Sequence, residues 1–285
     1  MKKFNTDLLS VNIATFILGF GGLFAKWIDL PAHAITFGRT FFASLFLLLF
    51  CIIFKKTSFQ KSLHYKSRIL FSGLFMSLHW VFFYHAIQVS SVAVGVIAIL
   101  TLPVTTSLLE PLWNKKPFNK QLIFESGIIL VGLYILIKFN TKPISILEGA
   151  FWGILCSFSF ALRNLITQPL LKEMSSIWVM TCNVIVSSLI FAPISATIVF
   201  TTTSSNLVLI IISGIIISGL AQSLFLQSIK TLSVSISSLI ASLEVPYAII
   251  ASWLFLGEPI TPAIIAGGGL IFCVILFKQI QLLRD

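Results

Sequence analysis

Apolar residues run along this chain in long, unbroken stretches, separated by short connectors that hold the charges and the helix breakers. The stretches do not alternate apolar with polar, so they do not read as barrel strands. Each is roughly 18–25 residues long, enough for a helix to cross a ~30 Å hydrocarbon core. Ten spans are predicted, at 8–28, 33–54, 69–88, 92–113, 120–138, 149–170, 176–199, 207–228, 234–256 and 260–279. The connectors are Asp29-Leu30-Pro31, Lys55 to Arg68, Asn114-Lys115-Lys116-Pro117, Asn140 to Pro143, Thr201 to Asn206, and Gly257-Glu258-Pro259. Pro103 and Pro111 leave a reading with eight or nine spans open. The expected fold is an all-α integral membrane protein, because a helix satisfies its own backbone in lipid.

Composition agrees: mean hydropathy is +1.03 and only 10% of residues are charged, too few to cover a soluble domain of 285 residues. Charge then sets orientation. With the N-terminus inside, fourteen Lys and Arg fall on inner segments and three outside (Lys26, Lys138 and Lys142), while Arg39 and Arg163 lie within spans. The positive-inside rule therefore predicts a multi-pass protein of the cell (cytoplasmic or inner) membrane with both termini cytoplasmic. The net charge of +10 sits at membrane edges and leaves no basic face for nucleic acid. Lys2-Lys3 before an apolar run resembles a signal peptide, but the run to Trp27 is long and is expected to stay as the first helix. Cys51, Cys156, Cys182 and Cys273 lie inside spans without metal spacing and read as small core residues.

A shift of 142 residues lays spans three to five on spans eight to ten. Leu78, Phe83, Ile87, Ser91, Val92, Leu112, Pro117, Gly127 and Ile129 then meet identical residues, and Pro103 meets Pro246 with a one-residue slip. Two halves follow, 1–142 and 143–285, each of five helices. An odd number of spans makes the halves opposite in orientation, the inverted repeat that alternating access uses.

Several short motifs then fall in order. Phe83-Tyr84-His85-Ala86-Ile87-Gln88-Val89-Ser90-Ser91-Val92-Ala93 resembles the "fyaikytsaa" junction of EamA-type transporters of the drug/metabolite transporter superfamily. So does Leu226-Gln227-Ser228-Ile229-Lys230-Thr231-Leu232-Ser233-Val234-Ser235. Leu256-Gly257-Glu258-Pro259-Ile260-Thr261 is similar to the "lgEplt" hinge, and Arg39 with Ala43 to the "RfxxA" of span two. The resemblance covers the whole chain as two EamA repeats. The first hinge departs from it: Trp113-Asn114-Lys115-Lys116-Pro117-Phe118 has lysine where the family usually has glutamate. The resemblance implies secondary transport of small metabolites, often outward, and names no substrate.

The candidate site residues are midspan polar groups. Glu244 stands near the middle of span nine, two residues before Pro246, and shares a helix face with Ser237, Ala241 and Ala248, with Tyr247 beside it. It reads as a substrate contact, a proton carrier, or both; the alternative is a structural carboxylate joining two helices. In span three, His79 and Trp80 read as a cavity wall with a titratable ring, or as helix contacts. Tyr84 extends that wall, or joins His85 in an interfacial belt. Arg39 pairs with an anion, or snorkels to the outer surface, and snorkelling is expected of it and of Arg163. Glu110 is expected to pair with Lys115 and Lys116, and Lys26, Trp27 and Asp29 to anchor an interface. Gly19, Gly21 and Gly22 suit close helix contact, and Gly267-Gly268-Gly269 does too, with a homodimer face as one reading.

The resulting function is transport of a small metabolite, an amino acid or related compound, expected as proton-coupled export. The alternatives are multidrug-type efflux or facilitated uptake. The partners are the substrate, the lipid bilayer and protons; no metal or cofactor is implied. A membrane enzyme is disfavoured, because the nine acidic residues are scattered with no DxxxD or HxxxH pair. A structural or receptor-like protein would not need a polar stripe around Glu244.

Overall fold

The computed structural model describes residues 2–138, 143–260 and 262–284. The helices are α1 (Lys2–Gly19), α2 (Leu23–Trp27), α3 (Ala32–Ile53), α4 (Phe59–His64), α5 (Lys66–Val89), α6 (Val92–Ala98), α7 (Thr101–Asn114) and α8 (Lys120–Lys138). They continue as α9 (Pro143–Thr167), α10 (Leu170–Glu173), α11 (Ser176–Phe200), α12 (Ser204–Ser213), a π-helical stretch (Gly214–Ala221), α13 (Gln222–Ser228), α14 (Val234–Ala241), α15 (Glu244–Leu256) and α16 (Pro262–Arg284). No strand occurs among the described residues.

Eight segments of these residues are long and apolar enough to cross a membrane: Thr6–Trp27, Ala32–Ile53, Lys66–Val89, Val92–Asn114, Leu147–Glu173, Ser176–Phe200, Ser204–Ser228 and Val234–Leu256. Helices α8 and α16, of 19 and 23 residues, pack against each other beside this bundle. The connector at 139–142, with Lys142, and Thr261 of the second hinge lie outside the described residues. Outward-facing Leu45, Leu49, Ile52, Leu189, Ile194 and Leu254 stay exposed. Such a surface suits a lipid solvent and not water.

Packing repeats between the halves. Helix α5 lies along α9, and α1 lies along α13 and the π stretch in the matching way. Helix α11 meets α5 just as α3 meets the π stretch. The pairs α3–α11 and α8–α16 join equivalent elements across the centre. Glycines permit the closest crossings: a Cβ on Gly153 would overlap Ala98, and one on Gly19 would overlap Tyr247 Cβ.

Two equivalent spans are broken. Ile99 and Leu100 separate α6 from α7, and Ser242 and Leu243 separate α14 from α15. In each case proline is the third residue after the break, Pro103 and Pro246, where its missing N–H leaves no helical bond unmade. The breaks thus do not remove a candidate span: Val92–Asn114 and Val234–Leu256 are each long and apolar enough to cross as one. Pro111 sits inside α7 without ending it. Both broken spans also finish alike, on a left-handed residue two positions before a proline: Lys115 (φ 52) and Gly257 (φ 67).

Glycine adopts that conformation freely and lysine does not. Lys115→Gly should therefore raise the thermal unfolding midpoint of the detergent-purified protein, and Gly257→Ala should lower it, each by the equivalent of about 1 kcal/mol. Equal midpoints for both variants would show that the caps are not strained.

Candidate functional site

The inward face of α3 repeats at helical spacing: Ala32, Ile35, Thr36, Arg39, Ala43 and Leu47 are all buried. Arg39 stands on that stripe two turns inside the helix, and it is 1% exposed. Gly214 of the π stretch closes on the Arg39 backbone, where even a Cβ would not fit. Thr36 and Thr40 turn their hydroxyls back to the carbonyls of Ala32 and Thr36, both at 2.8 Å, and offer Arg39 nothing. The guanidinium instead lies over the ring of Trp80, with Cζ 4.1 Å from the centroid, and 5.0 Å from that of Tyr84. Those two rings stack at 5.9 Å and 22°. Among the described residues Nε, Nη1 and Nη2 of Arg39 have no hydrogen-bond partner, and neither have the Trp80 Nε1 and the Tyr84 hydroxyl.

His79 and Trp80 are consecutive, so their side chains leave α5 about 100° apart. Trp80 turns to α3, and His79 turns to α9. The His79 Nδ1 is 3.1 Å from Cys156 Sγ and 3.3 Å from the Cys156 carbonyl oxygen. Its ring stacks on Phe160 at 4.2 Å. Beyond Phe160 comes Arg163, fully buried. Nη1 of Arg163 donates to Asn164 Oδ1 at 2.9 Å and Gln222 Oε1 at 3.4 Å, and Nη2 lies 3.1 Å from Met180 Sδ. His79 is within Coulombic range of both arginines. Gln222 is the equivalent of Trp80 under the 142-residue shift, and each meets one arginine.

Glu244 opens α15 at the break of its span, within Coulombic range of Cys156. The ion pairs among the described residues are Lys61–Glu173 and Lys278–Glu125, both at 3.4 Å, so neither Arg39 nor Glu244 is paired to a protein charge. Two companions expected on the Glu244 face are engaged elsewhere. Ser237 takes a hydrogen bond from the Ser228 hydroxyl at 3.1 Å, and Tyr247 meets the edge of Phe16 at 5.4 Å with its Cβ against Gly19.

Several expectations are corrected. Arg39 and Arg163 do not snorkel, because the faces that carry them pack against the π stretch, α5 and α13 instead of pointing along the span toward water. Tyr84 is fully buried and is no belt residue; His85 is half-buried against Trp152. Cys156, expected only to fill the core, is the partner of His79. Asn164 and Gln222 join the site without having been expected there; as midspan polar residues they carry the same signal in the sequence as Glu244. Among the described residues no group of three His, Cys, Asp or Glu could hold a metal ion.

Residues 6–138 and 147–278 each match the model of the EamA-like transporter family. An uncharacterized transporter of Bacillus subtilis (strain 168), YxxF, is 24% identical over 266 residues, covering 90% of this chain and 84% of that protein. A crystal structure of another protein superposes with a TM-score of 0.74, covering 98% of each chain at 12% identity, a likeness of fold alone.

Glu110, where α7 ends, does not pair with Lys115 and Lys116. Its carboxylate accepts from the backbone N–H of Val234 (3.0 Å) and Ser235 (2.7 Å), from the Ser235 hydroxyl and from Gln168 Nε2 (3.3 Å). A carboxylate at a helix N-terminus satisfies orphan donors and the dipole together. This ties span four to span nine. Glu110→Ala should cost about 1–3 kcal/mol of stability in detergent unfolding, while Lys116→Ala should leave it unchanged. The reverse ranking would restore the ion pair.

Proposed function

Because this chain belongs to the EamA-like transporter family, we propose that it is a secondary transporter that moves a small metabolite by alternating access between its halves. The observation that carries the reading is the buried polar string from Arg39 through Trp80, His79 and Cys156 to Arg163, with Glu244 beside it, in the middle of a bundle whose spans are broken there. Polar groups at bilayer depth belong to pathways or to partners, and among the described residues the Arg39 guanidinium, the Trp80 N–H and the Tyr84 hydroxyl have no hydrogen-bond partner. Broken spans at a midplane site are how such transporters expose backbone and side chains to a solute.

In this reading α8 and α16 are the fifth and tenth spans, and residues 1–142 and 143–285 form inverted five-helix repeats. The substrate is an amino acid or a related compound, moved outward across the cell membrane. Arg39, Trp80, Tyr84, His79 and Glu244 line its path, with Ser237 and Tyr247 behind Glu244. Glu244 carries the coupling proton. Among the described residues no cation is paired with it, so its charge depends on water and protons that reach it as the path opens, with Cys156, His79, Arg163 and Arg39 as the polar groups along the string.

The test is transport by purified protein in proteoliposomes against a metabolite panel, with and without a pH gradient. Wild type should concentrate one class of solute when the gradient is present. Glu244→Gln keeps the shape and should insert and fold, yet lose gradient-driven accumulation about tenfold or more. That loss is the size expected when a group essential to coupling is removed. Unchanged pH dependence in Glu244→Gln would remove it from coupling, and no transport of any solute by wild type would end the reading.

Orientation has its own check. The proposed topology puts both termini and the loop Lys55–Arg68 in the cytoplasm. His64 on that loop is exposed. In a cysteine-free background His64→Cys should resist an impermeant maleimide in intact cells and react once the membrane is opened. Ready labelling from outside would invert the topology.

A further inference from the structure

The two buried arginines are not equivalent. Arg163 has two amide oxygens and a thioether around its Nη atoms. Among the described residues Arg39 has no hydrogen-bond partner on any of its three nitrogens, although it is equally enclosed. What Arg39 has is a stack: the Trp80 and Tyr84 rings lie against it and use no N–H. Stacking on the face of a guanidinium leaves its in-plane N–H edge free, the edge whose fork matches a carboxylate bidentately. Two more donors, the Trp80 indole N–H and the Tyr84 hydroxyl, are unpartnered on the same rings.

Taking the proposed transporter as given, we infer that Arg39 is the anion-recognition residue of its binding site, and that the transported class is small organic monocarboxylates. The carboxylate lies along the Nε–Nη edge of Arg39, with the Trp80 N–H and Tyr84 O–H as accessory donors. One free guanidinium matches one negative charge. The Nη atoms of Arg163 are already held by neutral acceptors, and the acidic Glu244 near Cys156 opposes a second negative charge. Phosphate esters and dicarboxylates are thereby disfavoured.

Binding is read in detergent, without a membrane, so that it is separate from transport. The probes are butyrate and phenylacetate, with butyramide, phenylacetamide, butylamine and inorganic phosphate as controls; the readout is the saturable shift in unfolding temperature with ligand concentration. Wild type should be stabilised by the two carboxylates and not by the controls. Arg39→Lys keeps a charge but loses the fork and should bind the carboxylates about tenfold more weakly, and Arg39→Gln should bind them more weakly still. Should Arg39→Gln fail to fold, Arg39→Lys and Tyr84→Phe decide, the latter losing a smaller part of the affinity. The inference falls if no carboxylate shifts wild type, if phosphate shifts it as much, or if Arg39→Lys binds as wild type does. A protein that carries an amine or a neutral solute in vesicles but binds no carboxylate keeps the transporter reading and loses this one.

Discussion

A guanidinium enclosed at bilayer depth is the constraint on which this structure turns. Placing such a charge in a transmembrane helix costs about 2.5–3.5 kcal/mol on insertion scales and more by other measures. Snorkelling would relieve that, but the Arg39 backbone is pinned by Gly214 and its side chain is directed between helices. The Trp80 and Tyr84 faces return part of the cost, on the order of 0.5–2 kcal/mol for cation–π contact. They leave the hydrogen-bonding capacity of the group untouched. The bundle around it is consistent with that demand: α5 supplies both rings, α9 supplies the partner of His79, and broken spans flank the centre.

The two broken spans show how local chemistry and global symmetry agree. A proline three residues into a helix is harmless at an N-terminus and disruptive in an interior. Placing Pro103 and Pro246 at equivalent points therefore makes each span start afresh at its middle without leaving the membrane. Glu110 then ties the end of one broken span to the start of the other. Motion of α7 relative to α14 must part that carboxylate from two backbone amides, so the joint defines where these two elements move as one.

Much of this is legible in the sequence because lipid simplifies the code. Length and apolarity locate a span almost without regard to neighbours, and Pro117 with Pro259 gives the repeat its register. Rotational setting is less legible. Whether Arg39 reaches water or Trp80 depends on which face of α3 meets the π stretch, and no local pattern encodes that. Glu110 escapes a sequence reading for the same reason: Lys115 and Lys116 are close along the chain, but the donors at Val234 and Ser235 are close only in the fold. Ser237 and Tyr247 share a face with Glu244 by spacing, yet Ser228 and Phe16 claim them first.

Helices α8 and α16 meet through an enclosed bridge between Glu125 and Lys278, reinforced by Gln121 and Gln281. Under the shift that relates the halves, Glu125 corresponds to Gly267 and Lys278 to Leu136. The bridge therefore has no duplicate. A half that met a copy of itself would bring two glutamates or two lysines into reach of no opposite charge. At this contact the charges therefore favour the pairing of the two unlike halves over that of two like ones, which adds electrostatic complementarity to their covalent linkage.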